Sequence, residues 1–181
     1  SYWLIIHVAI ITASYGFLAL GALLGFLNLI LMVIQNSSNK NRILASLKEL
    51  TFINEMSITT GLFMLSVGTF LGGIWANESW GRYWGWDPKE TWALASMLIY
   101  IFVLHMRFIP KIKGIFAFNL ASIVAYSSII MTYFGVNFYL SGLHSYAKGD
   151  PMPIPLFVYY SIVIVTLVAV LAKWRQKQLI N

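Results

Sequence analysis

Cysteine is absent from all 181 residues. That excludes disulfides, thiolate metal ligands and a cysteine nucleophile supplied by this chain. Charge is nearly as scarce. Only 10% of residues are Asp, Glu, Lys or Arg, against about 25% in soluble domains. Acidic residues number six and histidines three. What is present is apolar: 59% hydrophobic and 16% aromatic, with seven tryptophans. Such a chain is expected in a membrane. No secretory signal with charged, apolar and small-residue regions opens it. It begins at Ser1 rather than Met, which suggests a processed chain or part of a longer one.

An apolar run of about 18 or more residues is long enough to span a bilayer as a helix. Five segments meet or approach that length: Val8–Ile34, Met56–Asn77, Thr91–Ile109, Gly114–Tyr139 and Pro155–Ala172. The expected fold is therefore all-α, a polytopic helix bundle with about five transmembrane helices and one membrane domain over residues 1–181. Backbone polar groups in lipid must be paired within each segment, which leaves little room for anything else.

The net charge of +6 does not mark a nucleic-acid surface, because the charges sort by side. Lys40, Arg42, Lys48, Arg107, Lys111, Lys113, Lys173, Arg175 and Lys177 share one side with Glu49 and Glu55, a net +7. Arg82, Lys89 and Lys148 share the other with Glu78, Asp87, Glu90 and Asp150, a net −1. The positive-inside rule then places the N-terminus outside, the C-terminus inside and the loop at 76–91 on the outer face. Within Asn39–Met56, Ile43, Leu47, Leu50 and Ile53 recur at helical spacing among charged residues. That pattern predicts an amphipathic helix on the inner face.

The most information-rich stretch is Trp80–Thr91, which holds three tryptophans, a tyrosine, two glycines and four charged residues. Asp87, Pro88 and Glu90 fit the N-cap, N1 and N3 positions of a helix. Trp80, Tyr83 and Trp84 would share a face if helical, and Gly81 and Gly85 would leave that backbone bare. Flat aromatic faces beside bare backbone suit a flat apolar ligand. The same tryptophans also suit a membrane-interface belt, to which Trp3, Trp75 and Trp92 are assigned.

His7 and His144 fall on the same side as this loop. A lone interfacial histidine is usually only solvated. Two beside an aromatic loop are candidate axial ligands, since neutral imidazole is a common ligand of haem iron. Arg82 and Lys89 could pair with haem propionates, Arg in a bidentate way, or be ordinary interfacial charges. His105 lies within the third span, where an ionisable residue is a functional candidate; snorkelling to the nearby interface beside Arg107 is the plain alternative.

Trp80 to Thr91 resembles the signature of the WWD-domain family of haem-handling proteins, in particular the CcsA/ResC branch of the System II cytochrome c synthase, with its WGxxWxWDPKE-type motif. The resemblance implies that His7 and His144 are the axial ligands of haem b carried as substrate. It also implies that Trp80, Trp84, Trp86, Arg82 and Asp87 form its platform, and that His105 serves haem transit from the inner side. The implied activity is that of a holocytochrome c synthase (haem lyase): haem is moved outward and presented to apocytochrome c, whose CXXCH cysteines join its vinyl groups. The thiols come from the substrate, in keeping with a chain that has none. Transit in the family uses a second membrane histidine, for which this chain has no candidate, so the resemblance points to a ResB/CcsB-type partner with an outer domain. A bacterial inner membrane is favoured over a thylakoid. Two rival readings fit the same residues: a b-type electron-transfer cytochrome, whose ligands would lie inside the spans, and a CcmC-like shuttle that passes haem to a chaperone.

Overall fold

The computed structural model describes residues 1–144 and 153–180, with side chains at 179 and 180 excepted. The described residues are helical and contain no strand. In order they form α1 (Tyr2–Ile34), α2 (Lys40–Trp80), α3 (Pro88–His105) with a 3-10 turn at Met106–Phe108, α4 (Ile115–Ile130), a π-turn at Met131–Gly135, α5 (Val136–Tyr139) and α6 (Leu156–Ile180). Five helices are long and apolar enough to cross a membrane, those over 115–139 being one continuous span. Lys148 and Asp150, expected on the outer side, lie outside the described residues.

Two boundaries differ from expectation. Asn39–Met56 is not a separate helix: its residues are the first half of the 41-residue α2, which runs unbroken to Trp80. Ile43 and Leu47 are buried as the pattern requires, but Ile53 is exposed and the buried stripe continues through Asn54, Ile58 and Leu65. His7 does not precede the first span but sits in the second turn of α1.

Both helix ends at the tryptophan loop have local causes. Gly81 adopts φ 69° and its N–H returns to the carbonyl of Asn77 at 2.9 Å, the left-handed cap that ends a helix. Asp87 then starts α3. Its carboxylate accepts from the Lys89 N–H, and Glu90 accepts from the Asp87 N–H, with Pro88 in the first turn. Residues 81–87 are therefore loop, and the helical face expected for Trp80, Tyr83 and Trp84 does not exist.

α1 packs along α2 and touches α4 and α6. Leu18, Ile58, Leu65 and Tyr100 centre one apolar cluster; Leu29, Met32, Ile43 and Leu47 centre another toward the opposite end. A polar knot joins three helices beside them. Asn28 on α1 and Asn54 on α2 each donate to Oδ1 of Asn119 on α4, at 2.8 and 3.0 Å, and Asn119 donates to Thr51 at 2.8 Å. All three asparagines are fully buried. Interhelical hydrogen bonds of this kind add orientation where lipid and core are equally apolar.

The antiparallel path brings the start of α1, the end of α2, the start of α3 and the end of α5 together. Chemistry-bearing residues far apart in sequence converge there.

Candidate functional site

At this end of the bundle lies a cleft of about 250 Å³, lined among others by His7, Trp75, Trp84, Lys89, Tyr133 and His144. The π-turn contributes to its wall. Thr132 is buried against Ser96, Oγ to Oγ1 3.0 Å, and the next residue, Tyr133, faces the cleft. Such turns are often found at functional sites.

His7 is 7% exposed, and its Nδ1 donates to the carbonyl of Trp3 at 2.7 Å. Nδ1 of His144 lies 2.8 Å from Oδ2 of Asp87. A carbonyl or carboxylate oxygen only accepts, so in each ring Nδ1 carries the proton and, in the neutral form, Nε2 keeps its lone pair. That is the tautomer a metal-binding imidazole requires.

Asp87 thus has two tasks. One is the helix start already described. The other is to hold the loop after α5: Oδ1 accepts from the Leu143 N–H at 2.7 Å, while Oδ2 meets His144. A side chain at Gly142 would run into this carboxylate. Burial pushes the Asp87 carboxyl up, but hydrogen bonds from His144, Leu143 and Lys89 outweigh it and hold it below its ordinary value.

Trp75 touches both imidazoles. Its ring stacks on His7 at 5.3 Å between centroids and 28° between planes, and lies 5.8 Å from His144. Trp80 meets Trp75 edge-on at 4.8 Å and His144 edge-on at 4.9 Å. Trp75, assigned from sequence to an interface belt, therefore belongs to the cluster. Its local signal was the Gly72-Gly73 pair just before it: Gly72 bares α2 toward His7 on α1, and Gly73 bares it toward the Tyr83 carbonyl of the loop.

The cationic residues sit beside the aromatic ones. The Arg82 guanidinium crosses the backbone at Gly85, where any side chain would collide with it, and lies 5.8 Å from the Trp80 ring. It pairs with Glu90 at 3.9 Å, yet Nη1 has no hydrogen-bond partner, and neither does the buried Nε1 of Trp84. Glu90 is occupied with the loop, accepting from the Gly85 N–H at 2.7 Å. Lys89 donates to Asn137 at 2.9 Å.

Two expected site residues stand apart. Trp86 is 70% exposed with φ 58°, touching the cluster only edge-on through Trp84 at 5.7 Å. His105 is at the far end of α3, roughly 26 Å along the helix at 1.5 Å per residue. It is exposed, and its Nδ1 donates to the carbonyl of Ile101 at 2.7 Å. A second, almost wholly apolar groove of about 500 Å³ runs between α2 and α3 and shares Thr69, Gly73, Tyr83 and Trp84 with the cleft.

Five membrane-length helices with imidazole, indole and cationic groups gathered at one end make this an all-α integral membrane protein with a candidate ligand cleft. The chain belongs to the cytochrome c assembly protein family, whose model matches residues 1–144. It is similar to protein NrfI of Wolinella succinogenes, 53% identical over 153 residues, which cover 84% of this chain and 17% of that protein. It is also similar to the cytochrome c biogenesis proteins CcsA of Prochlorococcus marinus strain NATL1A, 37% identical over 174 residues, and of Guillardia theta, 36% over 168. Those matches cover 81% of this chain and 55% and 54% of the respective relatives. The chain thus spans about half the length of these CcsA relatives.

Proposed function

We propose that the cleft receives haem b as a substrate in cytochrome c maturation, holds its iron between His7 and His144 and presents it to apocytochrome c. The observation that carries this reading is the pair of imidazoles, each with Nδ1 committed to an oxygen, against one indole in an apolar cleft. Among the described residues no group of three His, Asp or Glu could hold a metal ion. Two imidazoles suit a metal that brings its other ligands with it, as a metalloporphyrin does. The family membership and the names of the CcsA relatives support the same reading.

Trp80 and Trp84 wall the porphyrin. Arg82 and Lys89 meet its propionates, for which Arg82 Nη1 and Trp84 Nε1 are unspent donors. Trp86, outside the cluster, faces what approaches from solvent. The thioether step is an addition: each CXXCH sulfur bonds to a vinyl carbon, its proton goes to the other vinyl carbon, and nothing leaves. The tryptophan loop faces outward from a bacterial plasma membrane, with the first turns of α2 at the inner side. His105 serves haem transit there, completed by a ResB/CcsB-type partner.

Protein purified from bacterial membranes is expected to carry haem with a six-coordinate low-spin spectrum. His7→Ala and His144→Ala should each abolish that spectrum. An unchanged spectrum in both variants would overturn the reading.

A further inference from the structure

His7 and His144 come from different ends of the sequence, and neither is fully fixed by its hydrogen bond. A single Nδ1–H···O contact leaves a ring free to turn about that axis. What stops the turning is packing on the ring faces. On His7 that packing is Trp75, stacked at 28°. On His144 it is Trp80, edge-on at 88°, together with Trp75 at 57°. Trp80 in turn leans on Trp75 at 71°. Among the ring contacts of the described residues, Trp75 is the one side chain that touches both imidazoles. It stands on α2 rather than on the loop, and a Cβ at Gly72, one turn earlier, would lie 3.3 Å from the His7 ring. The backbones of α1 and α2 are therefore close enough to keep the stack in register.

From this arrangement we infer that Trp75 is a positioning residue that sets the ring planes of His7 and His144 relative to one another, and through them the electronic state of the iron they hold. The inference rests on the haem reading of the cleft. Each axial imidazole donates π density into the iron d orbital perpendicular to its own plane. Parallel rings donate into the same orbital and split the pair; crossed rings leave the pair nearly equal in energy. The angle between the rings therefore fixes the g-anisotropy of the ferric low-spin ion. Trp84 and the loop wall the ligand, but the angle is set from α2, the rigid element that carries Trp75 and, at its last position, Trp80.

The test is electron paramagnetic resonance of the oxidised, haem-loaded protein in wild type, Trp75→Ala, Trp75→Phe and Trp75→Leu. Trp75→Ala is expected to stay low-spin while its largest g value shifts and its line broadens into a distribution of ring angles. Trp75→Phe, which restores a flat face, should recover most of the wild-type line, and Trp75→Leu should not. If Trp75→Ala loses haem altogether, recovery by Phe but not by Leu supports the inference; loss in all three marks a general packing defect and overturns it. An EPR signal in Trp75→Ala identical to wild type, with the low-spin signal still abolished by His7→Ala and His144→Ala, overturns the role of Trp75 alone. A wild-type protein without haem, or histidine variants with unchanged spectra, overturns the haem reading and this inference with it.

Discussion

Asp87 and His144 are 57 residues apart in sequence and 2.8 Å apart in space, and the carboxylate that grips the imidazole is the same one that caps α3. Helix initiation and orientation of a candidate ligand thus share one side chain. The two roles separate by substitution, because asparagine caps a helix about as well as aspartate but lacks the charge that raises the basicity of a partner imidazole.

Asp87→Asn is therefore expected to keep α3 intact and to weaken haem binding about 10- to 100-fold, the usual effect of losing such an outer partner. Asp87→Ala should lose the cap as well, at a further cost of about 1 kcal/mol. Haem titration of the purified variants, with thermal unfolding in detergent alongside, reads the two effects separately.

The carboxyl of Asp87 is held below its ordinary value of 3.8. A depressed carboxyl contributes stability that is complete above the ordinary value and lost as pH falls through the folded one. The anchoring of Leu143 and His144 to α3 should accordingly persist through mildly acidic conditions and fail only below pH 3.8. Limited proteolysis near residue 143 across this range should show the step in wild type, and Asp87→Asn should remove it.

Gly85 has no side chain because the Arg82 guanidinium lies across it. Gly85→Ala should expel the guanidinium and weaken haem binding to the same extent as Arg82→Ala. Binding that falls in Arg82→Ala but not in Gly85→Ala would show that the guanidinium works from some other position. Arg82→Lys should not restore the loss, since an ammonium cannot make the two-pronged contact with a carboxylate.

Asn119 is the common acceptor of the buried polar knot. Asn119→Ala takes one acceptor from each of the Asn28 and Asn54 amides, which keep Thr51 and Ser122 respectively, and should lower stability by about 1–3 kcal/mol, nearer the low end in a bilayer. The haem spectrum should not change, because the knot is at the other end of the bundle. A midpoint shift in thermal unfolding with an unaltered Soret band is the expected result.

Much of this architecture is legible in the chain. Charge scarcity and five apolar runs give the spans, and Asp87, Pro88 and Glu90 give the start of α3 from local chemistry alone. The charge bias also puts His7 and His144 on one side, and both line the one cleft. Three features were not legible, and each has a physical reason. Trp75 looks like any interfacial tryptophan, since in a membrane chain both the lipid face and the packed face are apolar. The contact of Asp87 with His144 depends on where α5 ends, which no local pattern fixes. The continuity of α2 was hidden by a change in composition near Met56, although helical geometry itself does not depend on which face is polar.

That continuity has a mechanical consequence. At 1.5 Å per residue α2 is roughly 60 Å long, about twice the thickness of a bilayer's hydrocarbon core. A straight rod of that length pivoting at its middle moves each tip by about 1 Å for every two degrees of tilt. Lys40 rides on one tip, and Trp75 and Trp80 ride close to the other. Small displacements at the charged end are thereby carried, as lever motion, to the rings that pack against His7 and His144.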